Sequence, residues 1–170
     1  MKNIGKIPEE LRQIPQWVVW RLVDRDGKKT KFPFDPVSGK PASTTDPQTW
    51  QAFDDALRAC ERGGYSGLGF VFSEGDPYAG IDLDHVRDPD TGQFEPWARE
   101  IITQLSSCTE LSPSGTGAHV IVRAKVPGTR RRKGDIEIYD AGRYFCMTGE
   151  RLEGMPGTVE ERQVILNAIH

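Results

Sequence analysis

The sequence predicts an α+β domain in which helices flank mixed and antiparallel sheets. Three observations predict it. Short runs of β-branched and aromatic residues recur along the chain, divided by Gly, Pro, Asp and Ser as in hairpins. Residues 47–62 and 95–106 instead carry apolar residues at helical spacing. Helices standing between groups of hairpins suit helices packed on sheets better than a regular βαβ alternation.

The elements follow in order. Residues 8–13 hold one or two helical turns, with Pro8 at the first position, where an N–H is not needed. The run "QWVVWRLV" is a strand, "DRDGKKT" a hairpin turn with Asp26 and Gly27 at its tip, and "KTKFPF" the return strand. A loop containing "PVSGKP" comes next. Asp46 and Pro47 read as the cap and first position of a helix over 47–62, with Trp50, Phe53, Ala56, Leu57 and Cys60 on one side and Gly63-Gly64 as its stop. The runs "GLGFVF" and "YAGIDLD", split by the turn "SEGDP", read as paired strands. A second helix over 95–106 places Trp97, Ile101, Ile102 and Leu105 on one side. Beyond it, "TELSPSGTGAHVIVRAKV" is a short strand, a glycine-serine turn and a long strand, and "GDIEIYDAGRYFCMTG" is two strands around Ala141-Gly142. Thr158 to Glu161 has the capping-box pattern and should open a last helix with Val159, Ile165, Leu166 and Ile169 inward. The count is about seven or eight strands and three longer helices.

The chain has 170 residues, 36% of them apolar and 28% charged, which suits a single folded domain over 1–170. Its net charge of −3 makes it a poor bulk attractor of nucleic acid, so any such contact has to use a local basic patch. Cys60, Cys108 and Cys146 are far apart and form no C-x-x-C pair, which argues against a zinc knuckle or a disulfide framework. The odd cysteine count and the absence of an apolar leader fit a reducing cytoplasm. No apolar run approaches the roughly 20 residues of a membrane helix, so no membrane partner is expected.

Three stretches carry candidate chemistry. In "AGIDLDHV", side chains alternate, so Asp82 and Asp84 share a face with Cα atoms ~7 Å apart while Ile81 and Leu83 point into a core. Two carboxylates so placed suit divalent cations, and without one they repel. The same residues also read as a strand running out into water. His85 falls on the opposite side and reads as a packing or supporting group. In "ELSPSGTGAHVIV", Ser112, Ser114, Gly115, Thr116 and Gly117 form a turn whose glycines let backbone N–H groups approach an anion, with His119 just beyond. It also reads as an ordinary glycine-rich hairpin turn. In "GDIEIYDAGRYF", Asp135, Glu137 and Tyr139 share one face, and a carboxylate between two isoleucines calls for a partner or a metal. A salt bridge from Glu137 to Arg143 on a surface strand is the other reading. Basic runs at Lys28 to Lys31 and Arg130 to Lys133 adjoin these stretches and could follow a phosphate backbone.

Taken in this order, D-L-D-H, S-P-S-G-x-G-x-H and E-I-Y-x-x-G-R-Y-F resemble the catalytic core of the archaeo-eukaryotic primase superfamily, nearest to the primase–polymerases of phages and plasmids. The likeness runs from about residue 14 to residue 153. It implies an RNA-recognition-motif-like metal-binding subdomain over about 66–155, a smaller N-terminal α/β subdomain over about 1–65, and a C-terminal helix over 156–170. It implies a template-dependent nucleotidyltransferase, a DNA polymerase that adds deoxynucleoside triphosphates to a primer 3′-hydroxyl, with primase activity left open and extension favoured over starting a primer, and with ribonucleoside triphosphates an open second substrate. Carried over, Asp82, Asp84 and Glu137 are the catalytic, metal-holding acids for two Mg²⁺ or Mn²⁺ ions. Ser112, Ser114, Gly115, Gly117 and His119 form the triphosphate site. Arg143 and Tyr144 lie near the nucleotide, Tyr144 toward its sugar, and Lys31 meets phosphate or template. Arg130, Arg131 and Arg132 are candidates for DNA. The implied partners are a single-stranded DNA template and primer, with a helicase domain or partner as in many relatives. The expected state is a monomer in the cytoplasm, that of the host for a phage protein. Zinc is not expected. Two rival readings remain: a metal-dependent nuclease using the same acids, and a replication-origin or single-strand-binding module without catalysis.

Overall fold

The computed structural model describes residues 3–170 and shows an α+β molecule with two sheets and four α-helices. A single helical turn, α1 (Glu9–Arg12), precedes the hairpin of β1 (Trp17–Arg25) and β2 (Lys28–Phe34). The hairpin turns at Asp26 and Gly27, both with positive φ, as the sequence predicts. β1 also pairs with β3 (Gly67–Phe72), and β3 pairs with β9 (Arg143–Met147), so the first sheet runs β2-β1-β3-β9 and is antiparallel throughout. The second sheet runs β10-β6-β4-β8-β7, built from β4 (Tyr78–Leu83), β6 (Ala118–Arg123), β7 (Arg132–Lys133), β8 (Ile136–Tyr139) and β10 (Glu160–Glu161). β5 (Thr109–Leu111) pairs with the start of β6, and β10 lies parallel to the end of β6.

"GLGFVF" and "YAGIDL" are strands, but they do not pair with each other. β3 enters the first sheet and β4 the second. β9, late in the chain, joins β3, while β8, four residues earlier, pairs with β4. The chain thus crosses between the sheets around "SEGDP" and again around Ala141-Gly142. Strands of the first sheet therefore come from both ends of the chain, β3 and β9 among residues 66–155.

The predicted helix over 47–62 is shorter. Residues 47–49 make a 3₁₀ turn capped by Asp46, Gln51 bridges to Trp17, and α2 begins at Phe53 and ends at Arg62. Trp50 is held by its indole N–H donating to Ser43 O, 2.7 Å, which pins the loop and prevents a continuous helix. α3 (Pro96–Leu105) buries Ala98, Ile102 and Leu105, whereas Trp97 is left exposed. The capping box is not used. Residues 160–161 form β10 instead, and α4 (Gln163–Ile169) starts after them. Edge pairing with β6 wins over helix capping there.

One core lies between α2, the first sheet and the front of the second, where Trp17 meets Phe53 and Phe70 edge-on at 5.0 and 5.3 Å. Such pairs add ~1 kcal/mol each beyond area burial. A second core lies behind the second sheet, where Ile81, Leu83, Val120 and Val122 pack on α3 and α4. Burying Ile81 and Leu83 in that core forces Asp82 onto the opposite face. Among the described residues no helix is long and apolar enough to cross a membrane.

Candidate active site

Register assembles one row of ionisable side chains across the front of the second sheet. Glu110 on β5 stands opposite His119 on β6, His119 opposite Asp82 on β4, Asp82 opposite Glu137 on β8, and Glu137 opposite Arg132 on β7. Residues paired in register share a face, so five neighbouring strands each contribute one group to the same line. Asp84 continues the side of Asp82 one step past the end of β4, where its N–H donates to Asp135 O, 2.9 Å. The three acids and His119 picked out from the sequence are therefore neighbours.

Asp82 Oδ1 is buried and has no hydrogen-bond partner among the described residues. His119 Nε2 lies 3.4 Å from it, a close approach without hydrogen-bond geometry, and His119 Nδ1 is likewise buried and unpartnered among the described residues. The His119 ring stacks on Phe145 at 4.5 Å, which fixes its plane. Burial pushes the Asp84 carboxyl up, and Asp82 and Glu137 push it further, against a smaller opposing pull from His85 and His119. These are the signs of carboxylates gathered without enough positive charge between them. Glu137 differs. It is 6% exposed and accepts from Arg143 Nη2 at 3.1 Å, pairs with Arg132 Nη1 at 3.1 Å and accepts from the Tyr139 hydroxyl. Among the described residues no three His, Cys, Asp or Glu side chains converge at metal-binding spacing. The residues that fit a hard divalent cation are Asp82, through its unpartnered oxygen, and Asp84 beside it.

The serine-glycine turn is closed on itself. Ser112 Oγ accepts from Gly117 N–H at 3.1 Å, Gly115 N–H donates to Ser112 O, and the Ser112, Ser114 and Thr116 hydroxyls form a chain at 3.0 and 2.8 Å. Thr116 O accepts from the N–H groups of both Val86 and Arg87 at 2.9 Å, and Arg87 Nη1 donates to Gly115 O at 2.8 Å. The turn thus clamps the segment that follows Asp84. His85 is exposed with φ 52°, off the strand and outside any regular packing position.

A cleft of about 760 Å³ opens beside Asp82 and His119. Its walls include Lys28, Lys29 and Lys31 of β2, Ser43 and Thr44, and Arg143 to Cys146 of β9. The Tyr144 ring lies across the outer face of the first sheet over Gly69, where a Cβ would stand 2.6 Å from Tyr144 Cδ2, and its hydroxyl donates to Lys31 O at 2.8 Å. Burial pushes the Cys146 thiol up to about 12, so that group is a wall and not a thiolate. Arg130 and Arg131 lie elsewhere: they border a small groove with Ile169 and His170, Arg130 donating to His170 O and Arg131 to Gly128 O. Only Arg132 of that run reaches the acid row.

Sequence reasoning missed Glu110 and Phe145, whereas the basic run Lys28 to Lys31 that it singled out does border the cleft. Glu110 is 2% exposed and accepts from the N–H groups of Thr148 and Gly149 at 2.9 and 2.8 Å, which anchors the turn after β9 beside His119. Burial raises its carboxyl, and those two bonds pull it back. The signal existed: "TEL" and "AHV" flank one tight turn, which sets Glu110 opposite His119 once the hairpin is paired.

No family model matches the chain. Among curated proteins, the DNA primase-polymerase of Nitratiruptor phage NrS-1 is 42% identical over 159 residues, covering 89% of this chain and 22% of that protein. The chain therefore spans about a fifth of the length of that relative.

Proposed function

We propose that the protein is the nucleotidyltransferase core of a DNA primase–polymerase of the archaeo-eukaryotic type, extending a primer on a single-stranded DNA template from deoxynucleoside triphosphates. The observation that carries the reading is the junction of two opposite features: an acid row with an unpartnered Asp82 oxygen, and a cleft walled by Lys28, Lys29, Lys31 and Arg143. A polyphosphate chain can lie along the cations while its reacting end meets the acids. The similarity to a phage primase-polymerase over most of this chain supports it.

Asp82 and Asp84 would hold divalent ions, Mg²⁺ or Mn²⁺, with Glu137 joining when released from Arg143. Bound there, the ions would stabilise the charge that grows on the attacking and leaving oxygens. The chain's own groups would do the rest. His119, stacked on Phe145 and facing the cleft, would donate to the triphosphate. Arg143 would supply a forked donor to the same anion. Tyr144 would form the floor under the nucleotide sugar. The serine-glycine turn would act chiefly by holding the Asp84 segment, since its N–H groups at Gly115 and Gly117 are spent internally.

His119→Ala is expected to raise the KM for dNTP about tenfold or more while changing template affinity less than twofold, as loss of one charge-assisted contact implies. Steady-state extension kinetics and fluorescence anisotropy read the two effects; the reverse pattern removes His119 from the triphosphate site. Replacing Lys28, Lys29 and Lys31 by Gln together is expected to weaken single-stranded DNA binding and to flatten its dependence on log salt by about 2, if each lysine neutralises one phosphate. An unchanged slope takes the template out of the cleft.

A further inference from the structure

Glu137 is the acid that Asp82 and Asp84 do not have to themselves. Two guanidinium groups hold it, and they differ in place. Arg132 sits on the edge strand β7, away from the cleft lining. Arg143 opens β9, stacks over the Tyr139 ring at 4.6 Å, meets Glu137 at 3.1 Å and also lines the cleft beside the three lysines. Its side chain is 49% exposed, whereas that of Glu137 is 8% exposed, so the arginine has a free side and the acid has none.

We infer that Arg143 is shared between Glu137 and the anion that enters the cleft, so that binding of a triphosphate draws Arg143 away and delivers Glu137 to Asp82 and Asp84. This rests on reading the cleft as a triphosphate site. A guanidinium carries five donors in a fixed fork and can turn from a carboxylate to a phosphate without loss of bonding. A triphosphate carries several negative charges where Glu137 carries one, so it wins the contest for Arg143 when present. Once Arg143 turns, Glu137 keeps only Arg132 and Tyr139, and a nearly buried carboxylate short of positive charge favours a cation. Nucleotide and divalent ion then strengthen each other's binding through one arginine, and each must do so equally. Without nucleotide the three acids stay divided, which agrees with the lack of a three-residue metal cluster among the described residues.

Isothermal titration calorimetry with dATP in EDTA tests the sharing directly. Glu137→Gln is expected to tighten metal-free dATP binding about fivefold or more, in the usual range of coupling between sites. Arg143→Gln is expected to weaken it, and the gain from Glu137→Gln to vanish in the Arg143→Gln background. A general charge effect would persist in that background, so a persistent gain, or no gain in the single variant, overturns the inference. Should Arg143→Gln not fold, Arg143→Met replaces it, since it keeps the length of the side chain and removes every donor to Glu137 and to phosphate. A Mn²⁺ titration followed by electron paramagnetic resonance, without nucleotide, gives the second arm. Glu137→Gln is expected to leave Mn²⁺ affinity within about twofold while Asp82→Asn lowers it about tenfold. Equal losses in the two variants show that Glu137 is already available and overturn the inference. Failure of the wild type to bind dATP with or without Mn²⁺ instead overturns the reading of the cleft.

Discussion

Asp82→Ala is expected to abolish primer extension while leaving the fold as stable as before. Asp82 is central to the row: His119 flanks it on one strand, Glu137 on the other, and Asp84 follows on the same side. Its Oδ1 has no donor, so removing the carboxylate breaks no hydrogen bond at that atom. It also relieves the repulsion that helps to hold the Asp84 carboxyl up. The melting temperature should therefore stay level or rise. Activity should behave oppositely. If Asp82 fixes the ion that offsets charge on the reacting oxygens, its loss should lower the extension rate by about 10³-fold or more, about 4 kcal/mol in the barrier. A gel-based extension assay with Mg²⁺ or Mn²⁺, beside thermal unfolding and DNA-binding isotherms, reads all three quantities. Wild-type protein that only shortens the primer makes the site a nuclease. Wild-type protein that binds DNA without extending it, and an Asp82→Ala variant that binds equally well, makes the chain a binding module.

What was legible in the sequence was local and periodic. Alternation in "GIDLD" and "GDIEIYD" set the acids on one face each, because buried Ile81, Leu83 and Ile138 leave Asp82 and Glu137 no other side. The tight turns at Asp26-Gly27 and Ser112 to Gly117 gave both hairpins. Pairing between distant strands was not legible. "GLGFVF" and "YAGIDL" are two apolar runs with a turn between them, the usual mark of a hairpin, and nothing local says that each belongs to another sheet. The end of the 47–62 pattern was hidden for a similar reason: Trp50 has helical spacing, but its indole donates to Ser43 O, a contact made only after the loop folds back. The state of Glu137 was half legible. A salt bridge to Arg143 can be read from their separation, whereas the second one, to Arg132, depends on the β7–β8 register.

Gly117→Ala is expected to cost both stability and activity, and the pairing of the two losses is the informative part. Gly117 has an ordinary φ, so alanine meets no backbone strain of its own. The obstacle is a neighbour: a Cβ at 117 would press into the carbonyl oxygen of Leu83, with Ser112 Oγ at 3.3 Å on another side. Leu83 O belongs to the backbone of the central strand β4, which pairs with β6 on one side and β8 on the other, so it cannot simply rotate away. Overpacking of this kind costs about 1–3 kcal/mol. For a chain of this size that lowers the melting temperature by roughly 3–10 °C. The carbonyl that has to move is joined directly to Asp84, and the clamp that follows, Thr116 O on Val86 and Arg87, has to move with it. A shift near 1 Å at a reacting group lowers turnover by about 10²-fold. Leu105→Ala supplies the comparison. Leu105 is fully buried on α3 in the core behind the second sheet, and its truncation costs about 2–5 kcal/mol without touching the acid row. At a temperature where both variants are folded by circular dichroism, Leu105→Ala should retain wild-type kcat and Gly117→Ala should not. Equal kcat in the two variants would mean that the turn carries stability alone and that Asp84 does not depend on where Gly117 lets the Leu83 carbonyl lie.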